Sequence, residues 1–142
     1  MITLITGQPG AGKTLFTLQF VRELAEKEKR TVHYSGIKDL RLPWLELANA
    51  EDWYQVPQGS IVVVDEAQRI FRPRGAGSVV PRHVSELETH RHQGIDLFII
   101  TQHPMLVDTN VMRGNLATWS CPSPFILRSI SDTSAVVGSP RE

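Results

Sequence analysis

Eight residues near the start of the chain, Gly7-Gln8-Pro9-Gly10-Ala11-Gly12-Lys13-Thr14, constrain this protein more than any others. They match G-x-x-x-x-G-K-[ST], the phosphate-binding loop pattern, and they lie where such a loop must lie. Ahead of them, Met1 to Thr6 is short and rich in β-branched residues, which predicts a strand. Behind them, Leu15 to Lys29 has helical spacing, with Leu15, Leu18, Val21, Leu24 and Ala25 along one side. The loop must aim several backbone N–H groups at one phosphate. A side chain on its glycines would block that approach or the positive φ it needs. The helix adds its first N–H groups and the positive end of its dipole. Gly7, Gln8, Pro9, Gly10, Ala11, Gly12, Lys13, Thr14 and Leu15 are therefore the candidate triphosphate-binding residues. Lys13 is expected against the β- and γ-phosphates, and the Thr14 hydroxyl against Mg²⁺.

The rest of the chain repeats the strand–crossover–strand order. Thr31 to Ser35 reads as a second strand, after a charged helix end in which Glu23/Lys27 and Glu26/Arg30 have the spacing of ion pairs. Gly36 to Gln58 reads as loop and short helical turns, with Trp44, Trp53 and Tyr54 packing against the sheet edge in preference to stacking on a base. Ser60 to Val64 is an unbroken apolar run, as a parallel sheet covered on both faces requires. Pro81 opens a helix in which Val84 and Leu87 share a face, and Gly94 ends it. Ile95 to Ile100 is another buried strand, Leu106 to Arg113 a short helix, Leu116 to Ser120 a strand, and Phe125 to Ile130 an edge strand or hairpin. Arg72 to Ser78, with Pro73, Gly75 and Gly77, reads as a mobile loop. The fold class is α/β: one domain over 1–142, a three-layer sandwich with a mostly parallel central sheet.

In an open α/β sheet, ligands sit beyond the C-terminal ends of the strands. Asp65 and Glu66 lie at such an end, directly after Val62-Val63-Val64. Asp65 suits a metal-side carboxylate opposite Thr14, and Glu66 suits the group that polarises the attacking water. The alternative for Glu66 is that it caps the turn Ala67-Gln68-Arg69. Gln102 ends the following strand, where its amide can reach the γ-phosphate or orient the water; otherwise it is a turn residue before Pro104. Arg91, just before a strand, lies on the side away from its own nucleotide, so its candidate role is at a neighbouring subunit's γ-phosphate. Arg72, Arg74 and Arg113 are its rivals, and ordinary surface pairing is the alternative for all four. His83, His90, His92, His103 and Cys121 show none of the compact spacings of a metal site.

Composition excludes several classes. Lys plus Arg and Asp plus Glu each number 15, so a formal net charge of zero does not support broad DNA binding. A lone cysteine makes no internal disulfide and suits a reducing compartment. The apolar start is too short for a signal peptide or a membrane span, so the chain reads as soluble. A nucleotide-gated interaction module without turnover is one alternative to a hydrolase. A small-molecule kinase is the other, with Arg69 to Arg74 as the only segment able to imitate its lid.

Three stretches together resemble the ATPase domain of the zonular occludens toxin (Zot) family, the gene I proteins of filamentous phages. They are Ile5 to Thr14, Val63-Val64-Asp65-Glu66-Ala67-Gln68, and His90-Arg91-His92-Gln93-Gly94-Ile95-Asp96 leading to Thr101-Gln102-His103. The resemblance covers roughly residues 1 to 130 and implies a RecA/FtsK-like fold. It also implies Mg²⁺-dependent ATP hydrolysis that drives phage assembly and extrusion at the cytoplasmic face of the bacterial inner membrane. A homo-oligomeric ring, hexameric by analogy, is implied too, with phage assembly or coat proteins and inner-membrane partners. Carried onto this chain, the family pattern puts phosphate binding on Gly12, Lys13 and Thr14, metal on Asp65, catalysis on Glu66 and sensing on Gln102. The family usually continues into a membrane helix and a second domain, so this chain is expected to be the N-terminal part of a longer, anchored protein. Toxin activity, attributed to that further part, is not assigned here.

Overall fold

The computed structural model describes residues 1–120; the expected strand or hairpin at Phe125 to Ile130 lies outside them. Among the described residues six strands form one sheet: β1 (Ile2–Thr6), β2 (Val32–Ser35), β3 (Leu45–Glu46), β4 (Ile61–Val64), β5 (Asp96–Ile100) and β6 (Asn115–Ser120). Their order is β3-β2-β4-β5-β1-β6, and every pairing is parallel. β5 therefore lies between β1 and β4, with Ile5 opposite Ile100 and Val64 opposite Ile99. β1 and β4 are buried along their whole length, which is why their sequences are continuous apolar runs.

Alternation along the strands separates two apolar faces. Ile5, Ile61, Val63, Phe98 and Ile100 face α1 (Lys13–Glu28) and its Val21 and Ala25. Ile2, Leu4, Val62, Val64, Leu97 and Ile99 face the opposite layer, where they meet Trp53, Phe71, Val84, Leu87 and Val111. That layer holds α2 (Arg82–Ser85), α3 (Thr109–Gly114) and several 3₁₀ turns. The three-layer α/β sandwich with a parallel sheet is thus the architecture observed.

Local differences from the sequence reading have identifiable causes. The buried stripe of α1 is Thr17, Val21 and Ala25, at intervals of one turn, whereas Leu15 is 62% exposed. Thr17 belongs to the stripe because its hydroxyl donates to the Lys13 carbonyl at 2.8 Å, so no polar group is left unpaired. The expected Glu26/Arg30 pair is absent. α1 stops at Glu28, Lys29 turns left-handed at φ 54°, and Arg30 is carried off the helix; Glu26 accepts instead from Arg22. The expected helix from Pro81 to Gly94 is one short α-helix followed by 3₁₀ turns at Glu86–Glu88 and His90–Gln93, though Val84 and Leu87 do share the buried face. Trp53 is fully buried and donates its ring N–H to the His83 carbonyl at 3.0 Å, as core packing requires. β3 is an edge strand of two residues inside the stretch read as loop.

The pole of the sheet where the strands begin is held by Arg30. Its guanidinium donates to the carbonyls of Gly59 (2.6 Å), Ser60 (3.2 Å) and Gly94 (3.0 Å), to Glu28 (2.9 Å) and to the Asp96 carboxylate (2.5 Å). Asp96 also accepts from the Met1 ammonium at 2.7 Å. Burial pushes the Asp96 carboxyl up, but these donors outweigh it and hold the group below its ordinary value of 3.8. A carboxyl with a lowered folded pKa stabilises fully above its unfolded value, and loses that contribution as pH falls through the folded one. Asp96→Asn weakens charge-assisted hydrogen bonds and is accordingly expected to lower stability by about 2 kcal/mol at pH 7. Urea melts should show the deficit shrinking once the pH is taken below 3.8.

Two histidines act on a different part of the pH scale. His33 and His90 are buried, and burial lowers both below the ordinary 6.5. His90 Nδ1 donates to the Leu87 carbonyl at 2.5 Å, which assigns the neutral tautomer, and its Nε2 has no partner among the described residues. Protonation therefore favours the unfolded chain, and stability that is complete above pH 6.5 declines as the pH falls below it. The urea midpoint should fall between pH 7 and pH 5. In a His33→Phe/His90→Phe variant that limb should flatten.

Candidate active site

Because all the strands are parallel, the ends of β1, β4 and β5 meet at one pole, and each leads into a candidate site residue. Gly12, at φ 80° and ψ 21°, makes the left-handed turn from the loop into α1 without the Cβ strain that other residues meet there. Ala11 closes the turn with its N–H on the Gln8 carbonyl at 3.1 Å and is itself buried. α1 has no side-chain cap at its N-terminus and no acidic residue in its first turn. Among the described residues, therefore, no side chain caps its leading N–H groups. Lys13 Nζ lies over the loop, donating to the carbonyls of Gly7 (2.8 Å) and Gln8 (2.9 Å). Leu15 is in the same turn with its side chain outward, so only its backbone is suited to a phosphate.

Thr14 and Asp65 meet across the sheet pole. The Thr14 hydroxyl donates to Asp65 Oδ2 at 2.6 Å, although 51 residues separate the two. The backbone of Asp65 is set by β2, whose Ser35 carbonyl accepts its N–H at 2.9 Å. Close approach of the strand end is possible because residue 36 is glycine; a Cβ there would lie 2.5 Å from the Asp65 carbonyl oxygen. One hydroxyl and one carboxylate suit Mg²⁺, which takes oxygen ligands and keeps several waters. Thr14 and Asp65 are the residues that fit it.

Glu66 is held at both ends. Its N–H donates to Asp65 Oδ1 at 2.8 Å, and its backbone is left-handed at φ 50°, ψ 45°. Its side chain makes no cap bond to the following 3₁₀ turn, Ala67–Arg69. Instead Glu66 Oε2 accepts a short hydrogen bond from Gln68 Nε2, and Gln68 Oε1 accepts from the buried Thr101 hydroxyl at 3.1 Å. The sequence assigns no role to Gln68 or Thr101, although both lie inside the stretches that carry the family resemblance, Asp65-Glu66-Ala67-Gln68 and Thr101-Gln102-His103. Gln102 is exposed, and it is its carbonyl that contacts the loop, accepting the Gly7 N–H at 3.4 Å.

The arginines are distributed differently from this cluster. Arg91 is exposed in the 3₁₀ turn before β5. It stands about 17 Å of strand from the pole that carries the loop. Arg74, one of the expected rivals of Arg91, is engaged within its own chain. Its guanidinium donates to the buried Asp108 carboxylate at 2.5 Å and 3.3 Å, and to the Ser78 and Val79 carbonyls at 3.3 Å and 3.4 Å. The expected mobile loop is thereby tied down, with the Ser78 hydroxyl also on the Gly75 carbonyl at 2.7 Å. Asp108 in turn caps α3, accepting the Asn110 N–H at 2.9 Å. Burial would raise its carboxyl, but Arg74 and the Asn110 N–H hold it below the ordinary 3.8. Arg72 is exposed, bonded through Nε to the Arg69 carbonyl at 3.1 Å, and Arg113 is exposed in the last turn of α3. Among the described residues no helix is long and apolar enough to cross a membrane.

Similarity to known proteins agrees with this geometry. A protein of Pseudomonas phage Pf3, ORF301, named as an assembly protein, is 42% identical over 120 residues. The match takes in 80% of this chain but only 40% of that protein, so the chain spans less than half its relative's length. The genome-packaging NTPase B204 of Sulfolobus turreted icosahedral virus 2, solved with ATPγS, has the same fold at 17% identity (TM-score 0.69; 92% of this chain, 80% of that one). The sandwich is thus one shared with P-loop NTPases of the RecA/FtsK-like type. The N-terminal domain of zonular occludens toxin from Neisseria meningitidis superposes with a TM-score of 0.69 at 36% identity, over 88% of this chain and 78% of that one. The zonular occludens toxin (Zot) family model itself matches residues 26–118, beginning beyond the phosphate loop, and with both matches in hand the chain is a member of that family.

Proposed function

We propose that the chain is an Mg²⁺-dependent ATPase that powers the assembly and export of filamentous phage, as one subunit of an oligomeric inner-membrane motor. The observation that carries the hydrolase reading is the 2.6 Å contact between Thr14 and Asp65, with Lys13 on the loop and Glu66 adjacent. In this reading Gly7 to Leu15 bind the triphosphate, with Lys13 along the β- and γ-phosphates. Mg²⁺ held by Thr14 and Asp65 would neutralise charge on the transferring phosphoryl group. A water oxygen bonds to the γ-phosphorus, the bond from that phosphorus to the β–γ bridging oxygen breaks, and its electron pair leaves with ADP. Glu66 takes the water's proton, and Gln102 is kept as the proposed sensor at the end of β5. Arg74's engagement with Asp108 supports hydrolysis over transfer to an acceptor, because a lid built on Arg69 to Arg74 would have to break a buried ion pair to close.

The motor reading draws on family membership and on the Pf3 relative's name. It places the chain at the cytoplasmic face of the bacterial inner membrane as part of a longer protein, in a ring that is hexameric by analogy. Phage assembly or coat proteins and inner-membrane proteins are the proposed partners. Neutral net charge gives no support to DNA as the gripped substrate.

Two substitutions separate binding from turnover. Lys13→Ala should weaken ATP binding and abolish hydrolysis, since a point charge at the β/γ-phosphates is lost. Glu66→Gln should bind ATP normally yet lose about a hundredfold or more in kcat, because the amide cannot accept the proton. Phosphate release and equilibrium titration with a fluorescent ATP analogue read the two effects. Hydrolysis at the parent rate in Glu66→Gln would refute its role, and unchanged affinity in Lys13→Ala would undo the loop assignment.

Completion of the site in trans has its own test. Lys13→Ala subunits keep their arginines, so mixing them with Arg91→Ala subunits should restore ATPase activity if Arg91 serves a neighbour's pocket. Arg72→Ala is examined in parallel, because Arg72 is exposed and follows the acidic turn after β4. Recovery with Arg72→Ala but not with Arg91→Ala would transfer the assignment. Mixed oligomers that stay inactive in both cases would remove it from both residues.

A further inference from the structure

We propose that Gln68 is a positioning residue: its amide fixes the Glu66 carboxylate and couples it, through Thr101, to the phosphate loop. The proposal deepens the hydrolase reading and rests on it for its effect on rate. An ionised carboxylate only accepts hydrogen bonds, so the amide must turn its NH₂ toward Glu66 and its carbonyl toward the Thr101 hydroxyl. Both contacts are made, Gln68 Nε2 on Glu66 Oε2 and Thr101 Oγ1 on Gln68 Oε1 at 3.1 Å. A carboxamide carries a donor and an acceptor in one plane, and at residue 68 the glutamine side chain is long enough to make both contacts. Neither end of the bridge is loose. Thr101 is 2% exposed, and the turn carrying Gln68 is anchored by Ala67 and Phe71, both fully buried. Only one Glu66 oxygen is engaged by the amide. The other is left for the attacking water.

The bridge has a direct route to the nucleotide. Thr101 precedes Gln102, whose carbonyl accepts the N–H of Gly7, the first residue of the loop. A shift of Gly7 is thus passed along the β5 backbone to the Thr101 hydroxyl, and by the Gln68 amide to the carboxylate. The exposed Gln102 side chain is not needed for this transfer. Glu66 is gripped from two directions, through its N–H by Asp65, which also holds Thr14, and through its carboxylate by Gln68.

The test uses the full chain with Gln68→Ala, Thr101→Val, Thr101→Ser and Glu66→Gln, and two independent readouts. For hydrolysis, Gln68→Ala should lower kcat about a hundredfold while KM stays within about twofold, the pattern of a misplaced reacting group. Thr101→Val should lower kcat less, Thr101→Ser should restore it, and Gln68→Ala should cost nothing further in a Glu66→Gln background. The second readout is the side-chain amide signal of Gln68 in a ¹⁵N-correlated NMR spectrum. It should shift in both Thr101→Val and Glu66→Gln, and should shift when an unhydrolysable ATP analogue binds the parent. Parent-like kcat in Gln68→Ala would overturn the proposal. So would an amide signal that is indifferent to Thr101→Val and Glu66→Gln. A parent chain that binds ATP without turnover would sink the hydrolase reading alone, and the amide signal then decides the bridge by itself.

Discussion

Parallel strand direction is the constraint from which the rest of this structure follows. Six strands running the same way deliver β1, β4 and β5 to one pole, so the phosphate loop, Asp65-Glu66 and Thr101-Gln102 arrive together with no long connection between them. The order adds a second requirement. With β5 between β1 and β4, the loop and the acidic pair are two strand spacings apart, about 10 Å. That gap admits a phosphoryl group and a metal, and the intervening strand end can touch both sides of it. Gln102 touches the loop through its carbonyl, and Thr101 touches the acidic turn through Gln68. A sheet with β4 directly beside β1 would have left no strand end to make this connection.

The two poles solve opposite electrostatic problems. Where the strands begin, Arg30 satisfies three carbonyls and two carboxylates, so charge there is consumed in holding loops together. Where the strands end, Lys13 donates to two carbonyls and, among the described residues, forms no ion pair, so its charge is not consumed by a carboxylate. Beside that pole the Arg74–Asp108 pair is buried on the carboxylate side, at 1% exposure, and it binds the segment after Phe71 to the start of α3. Such pairs add little net stability compared with apolar packing, but removing one partner leaves a buried charge. Arg74 is therefore structural, and the arginines free to serve another subunit are exposed ones such as Arg72 and Arg91.

Backbone strain marks the acidic turn. A non-glycine residue in the left-handed region costs about 1–3 kcal/mol, and Glu66 occupies it at φ 50°. The surroundings over-determine that geometry, with Asp65 on the Glu66 N–H, the buried Ala67 behind it and Gln68 on the carboxylate. A carboxylate capping the turn in a relaxed conformation would have pointed at the backbone N–H groups after it. The strained one points away from them, into the bridge with Thr101.

What could be read from the amino-acid sequence was contiguous. Gly7 to Thr14 is legible because a phosphate loop is a local object, set by glycine conformation and by the helix it opens. β1, β4 and β5 are legible as apolar runs, and Asp65 and Glu66 as the polar residues that end one of them. The sandwich class follows from their alternation with helical segments. Tertiary structure decided what sequence distance hides. Side-chain partners were the least accessible, because a hydrogen bond is chosen by where strands end in space. Thr101 and Gln68 are 33 residues apart, Arg74 and Asp108 are 34, and Arg30 and Asp96 are 66. Local spacing favoured Glu26 for Arg30 and an inward Leu15, and both expectations failed because α1 ends two residues before Arg30 and buries Thr17 instead. Strand order was equally out of reach, since apolar runs of this kind pair as well in one order as in another. Only the packed sheet puts β5 between the loop and the acidic pair, and with it the Thr101 hydroxyl within reach of Gln68.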